Sequence, residues 1–83
     1  MDLLRSVKLS RAVSTPGDGP VATVDDALKL IDRNLPKERR HTPLWRRTRE
    51  LLTKAARSRD PRTIEQATRH FERAVQAEQA RAG

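Results

Sequence analysis

Cysteine is absent from this 83-residue chain, which removes disulfides, thiolate metal sites and thiol nucleophiles together. A secreted domain of this size would ordinarily rely on such staples, so the expectation is a reducing, cytoplasmic setting. Aromatic residues are nearly absent too: Trp45 and Phe71 are the whole supply. No apolar run approaches the roughly 20 residues that a membrane-spanning helix requires. The opening Met1-Asp2-Leu3-Leu4-Arg5 puts an acid where a signal peptide carries a base, and no apolar segment follows it. Large aliphatic and Phe side chains make up only 17 of 83 residues. That is close to the level at which disorder competes with folding, so a single domain of marginal stability is expected.

Charge is what the chain has in excess. Basic residues outnumber acidic ones 18 to 11, and the surplus is confined to the middle of the sequence. Residues 1–36 and 63–83 are each balanced, whereas residues 37–62 carry ten basic side chains against Glu38, Glu50 and Asp60. A localised surplus of one sign is the footprint of an anionic partner. The candidate surface comprises Lys37, Arg39, Arg40, Arg46, Arg47, Lys54, Arg57, Arg59 and Arg62. The plainer reading is a solvated face in an Arg-rich chain, in which Arg outnumbers Lys 14 to 4.

Local patterning predicts a mainly α domain of three helices behind a short β-hairpin. Val7, Leu9 and Val13 fall at odd positions in an alternation suited to a half-buried strand. Pro16-Gly17-Asp18-Gly19 supplies a turn, and Pro20 to Thr23 a returning strand. The alternative for residues 1–20 is a flexible arm. Thr23 caps a helix with Asp25 and Asp26 in its first turn, where the helix dipole favours acids; Pro36 ends it. After a charged loop, Thr42-Pro43 and then Asp60-Pro61 each pair a capping residue with Pro at the first helical position. Helices are therefore expected over about 24–35, 43–58 and 61–77, forming a domain over 21–77. Leu28, Ile31, Leu51, Leu52, Ile64, Phe71 and Val75 are the predicted core. Glu78 falls on the apolar stripe of the third helix, so core contact is expected to stop near Val75 and residues 78–83 to fray.

The order of features from Val21 onward carries a resemblance. Val24-Asp25-Asp26-Ala27-Leu28 opens a helix that stops at Leu35-Pro36, a basic loop and an amphipathic helix follow, and the sequence closes on Glu65-Gln66-Ala67-Thr68-Arg69-His70-Phe71-Glu72-Arg73-Ala74. This resembles a family of short α-proteobacterial proteins known as a domain of unknown function. Its pattern has a V-x-x-x-x-D/E-A-L-like start, a Trp-Pro after the first helix and an A-R-x-x-F-x-x-A-A close, preceded by a small hairpin. Leu35 stands here in place of that Trp, and Ala67-Thr68-Arg69 in place of the Ala-Arg pair. The resemblance implies the hairpin-plus-helices layout and brings no activity with it.

Catalytic chemistry has no foothold in the sequence. His41 and His70 lack a second ligand at helical spacing, so no metal or cofactor is expected. The serines form no nucleophile elbow, Asp25-Asp26 is helix-start chemistry, and Gly17 and Gly19 lack the Lys-Ser/Thr of a phosphate loop. The leading expectation is a non-catalytic protein-interaction module, self-associating or binding another protein. Its motives are the meagre core and Trp45, which lies at the edge of its helix's apolar arc and is either core or a contact residue. The alternative is nucleic-acid binding through phosphates along segment 37–62. No membrane and no small-molecule substrate is expected.

Overall fold

Alternating apolar residues at the start of the chain have one face to bury, and the helices that follow supply the surface. The computed structural model describes residues 7–15 and 19–82. Strand β1 (Lys8–Thr15) pairs antiparallel with β2 (Gly19–Thr23). Thr15 sits opposite Gly19, which has a positive φ of 71°, and the Thr15 hydroxyl donates to the Gly19 carbonyl at 2.8 Å. The expected turn residues Pro16, Gly17 and Asp18 lie outside the described residues.

Pairing is regular from Val13↔Val21 to Thr15↔Gly19 but shifts register between Lys8 and Val13. The irregularity turns part of β1 toward a helix. The Ser10 N–H donates to Thr68 Oγ1 at 3.1 Å, and the Arg11 guanidinium reaches Glu72 and Glu65. Val7, Leu9, Val13 and Val21 are all buried. A two-stranded ribbon is marginal alone, and packing against helices makes up the deficit.

Four helices follow. Helix α1 (Val24–Asn34) is capped by Thr23, whose side chain accepts the Asp26 N–H at 3.1 Å. Where only a loop was expected, the four residues of α2 (Lys37–Arg40) form one helical turn in which no residue is fully buried. Helix α3 (Pro43–Ser58) begins after Thr42. Thr42 occupies the cap position without making the capping bond; its hydroxyl donates backward to the Arg39 carbonyl at 2.7 Å. Arg59, left-handed at φ 55°, ends α3 by donating its N–H to Ala55 at 2.8 Å. Asp60 then caps α4 (Pro61–Ala82), accepting the Arg62 N–H at 3.0 Å.

Helix α4 runs past the expected end at 77. The start of α3 meets its far half: Trp45 packs edge-on against Phe71 with ring centroids 6.3 Å apart, and Trp45 Nε1 donates to Glu78. The two helices are therefore an antiparallel hairpin. β1 lies along α4, β2 against α1, and α1 against α3. Ile31, Leu51, Leu52, Phe71 and Val75 are buried as predicted, whereas Leu28 and Ile64 are only partly covered. Alanines 27, 55, 56, 67 and 74 complete the core and let the helix backbones approach.

Candidate nucleic-acid interface

With Trp45, Thr48, Leu51, Leu52, Ala55 and Ala56 turned inward, helical geometry sends Arg46, Arg49, Glu50, Lys54 and Arg57 outward. An open groove of about 800 Å³ runs along this face, bounded also by Lys37, Arg40 and His41 of α2 and its following turn. Six permanent cations (Lys37, Arg40, Arg46, Arg49, Lys54 and Arg57) line it against one acid, Glu50. From Arg46 to Arg57 the helix rises about 16 Å. A ligand following the groove would meet cations along that whole length.

The fold splits the nine predicted basic residues. Lys37, Arg40, Arg46, Lys54 and Arg57 line the groove, while Arg39, Arg47, Arg59 and Arg62 do not. Arg47 leans on Glu50 at 3.8 Å, three residues along α3. Arg39 is engaged internally by Glu78. His41 and Arg49 also line the groove, outside the nine. Arg49 is bound at 2.8 Å to Asp32 of α1, which lowers its capacity for an outside anion. Among the described residues no carboxylate forms an ion pair with Lys37, Arg40, Arg46, Lys54 or Arg57, although Arg40 Nε itself is buried.

Trp45 is not a surface anchor. Its side chain is 1% exposed and its indole N–H is bonded at 3.0 Å to Glu78 Oε1. The same oxygen accepts Arg39 Nε at 2.9 Å and Nη2 at 2.6 Å. Hydrogen bonding from Arg39 holds the Glu78 carboxyl below the ordinary carboxylate range. Burial opposes this, and Trp45 and the charges of Arg39 and Arg81 assist it. A second acid is shifted the same way: Glu65 is lowered by hydrogen bonding with Ser10 and by Arg69 and Arg11, again against burial.

Elsewhere the surface offers less. The outer face of α4 carries a Glu65–Arg69 pair at 3.3 Å, and a hollow of about 220 Å³ lies over Gln66, Arg69, His70 and Arg73. Phe71, Ala74 and Val75 of α4 are buried and leave no apolar stripe there for a partner. Among the described residues there is no cluster of three or more His, Asp or Glu that could hold a metal ion, and no helix is long and apolar enough to cross a membrane. No family model, curated protein or solved structure matches the chain.

Proposed function

We propose that this chain is a non-catalytic, cytoplasmic binding module that holds the phosphate backbone of a nucleic acid along α3. The observation that supports the reading is the groove: six permanent cations against one acid, with five of the six unpaired among the described residues. Such a surface binds by displacing counterions from a polyanion. Trp45 and Phe71 are both buried, so there is no aromatic platform on which bases could stack, and the ligand is recognised without regard to sequence. An antiparallel α3–α4 hairpin with its far helix packed under β1 also differs from a helix-turn-helix, whose second helix must stand free to enter the major groove. Val7, Leu9, Val13 and Val21 of the hairpin and Phe71, Ala74 and Val75 of α4 are turned into the core, so the reading rests on the charged groove rather than on an apolar face.

Fluorescence anisotropy with labelled single-stranded and duplex oligonucleotides tests the proposal. If the five unpaired cations all engage, log K falls with log salt at a slope of about −3.5 on single strands and about −4.5 on duplex. Replacing Lys54 and Arg57 by Ala weakens binding and flattens the slope by about 0.7–0.9 per cation removed. Glu50→Gln, which deletes the one acid in the groove, tightens it. Wild-type protein that leaves the anisotropy of both probes unchanged at about 50 mM salt, where phosphate contacts are strong, removes the reading.

A further inference from the structure

Helix α2 has little to keep it in place. It is one turn long, none of its residues is fully buried and only Arg39 and Arg40 are half-covered, and a single turn does not stand by itself in water. Its local bonds are the Arg39 and Arg40 N–H groups to Pro36 and the Thr42 N–H to Arg39. Yet α2 brings Lys37 and Arg40 to the groove. Its long-range attachment is the Arg39 side chain, held through two N–H groups by Glu78 from near the end of α4, while Trp45 at the start of α3 donates to the same oxygen. One carboxylate oxygen thus joins three helices.

We infer that Glu78 is a positioning residue for anion binding: through Arg39 it fixes the α2 wall, so that Lys37 and Arg40 are presented to the ligand already ordered. The inference rests on the reading of the groove as an anion site. An acid is otherwise out of place here, since Glu78 falls at the spacing of Phe71, Ala74 and Val75 on the inward stripe of α4. A Leu at 78 would serve packing better than a charge does. What the carboxylate adds is a fixed acceptor for a guanidinium and an indole that would otherwise lack one.

Electrostatics and positioning predict opposite signs, which makes the inference testable. Glu78→Ala removes a negative charge from a chain of net charge +7 and releases Arg39, so attraction for a polyanion alone would tighten binding. If Glu78 positions the wall, the same substitution weakens binding, because Lys37 and Arg40 must be ordered when the ligand arrives. Two immobilised side chains correspond to at least about a fivefold loss of affinity. The anisotropy assay on wild type, Glu78→Ala and Glu78→Gln reads the sign, and circular dichroism melts confirm that each variant is folded at the assay temperature. Glu78→Gln keeps an oxygen for Trp45 and Arg39 and is expected to fall between the other two; it carries the test if the Ala variant is unfolded. Amide exchange gives a ligand-free readout: the Arg40 and Thr42 amides exchange faster in the variants while those of mid-α3 do not. If wild type binds and the folded variants bind equally or more tightly, the positioning role is overturned and the groove reading stands. If wild type binds neither probe, the groove reading fails and takes the inference with it.

Discussion

Two buried threonines show how much depends on what a hydroxyl is bonded to. Thr48 and Thr68 are both fully buried, and each donates to the carbonyl four residues back, Leu44 and Ile64, at 2.8 Å. Those carbonyls already serve the helix ladder, so losing the hydroxyl leaves them satisfied. Thr48 makes one further contact, a long 3.4 Å approach to the His70 carbonyl. Thr68 also accepts the Ser10 N–H, in a stretch where the register shift leaves β1 irregularly paired with β2. A buried N–H stripped of its acceptor costs about 1–3 kcal/mol, so the partly covered Ser10 N–H costs toward the lower end, whereas a donor removed from a satisfied carbonyl costs about 1 kcal/mol or less. Thr68→Val is therefore expected to lower the urea midpoint clearly more than Thr48→Val, with m-values unchanged. Equal shifts would mean that Ser10 finds another partner and that β1 is not held to α4 by this bond.

At the scale of elements, local chemistry could be read from the sequence and long-range chemistry could not. Thr23 and Asp60 cap their helices as expected because cap and capped N–H lie two or three residues apart. Helix α2 could not be anticipated: one turn has no hydrophobic period, and the Arg39–Glu78 contact that ties it down spans 39 residues. The same contact explains why α4 outruns the expected end. An acid on an apolar stripe reads as the limit of the core until its partners are known, and Arg39 and Trp45 lie on other helices. The charge surplus of residues 37–62 was plain from composition, but Asp32 and Glu78, which decide the availability of Arg49 and Arg39, lie outside that segment. Shortening the chain to end at Ala77 makes the point measurable. A frayed tail would be dispensable, whereas here the deletion removes the acceptor of a buried indole N–H and frees Arg39. The shortened protein is expected to melt at lower temperature, with Trp45 emission shifted to the red as water reaches the ring. An unchanged melt and spectrum would mean that residues 78–83 carry no structure of consequence.

Over the whole molecule, carboxylates act as ties between elements in a chain with a large positive surplus. Glu65 and Glu72 hold Arg11 of β1 against α4, and Glu78 holds α2 and the start of α3 against the end of α4. Glu65 and Glu78 both have carboxyls lowered from the ordinary range, by hydrogen bonding and neighbouring cations that outweigh burial. A carboxyl lowered on folding binds protons less readily in the folded chain than in the unfolded one. Its contribution to stability is complete above the ordinary Glu value of about 4.3 and is lost as pH falls through the lower, folded value. Acid also strips negative charge from a protein whose net charge is already +7 at neutral pH, so repulsion grows in the same window. The melting temperature is therefore expected to be nearly flat from neutral pH down to the ordinary carboxylate range and to fall below it. Glu78→Gln cannot titrate: it starts from a lower plateau, having lost the charge opposite Arg39, and its acid limb is shallower because one of the lowered groups is gone. Melts of both proteins across the acid range separate the contributions. A Gln variant whose acid limb runs parallel to that of wild type would show that the Glu78 tie contributes no pH-dependent stability, and that acid sensitivity resides in Glu65 and the general charge surplus.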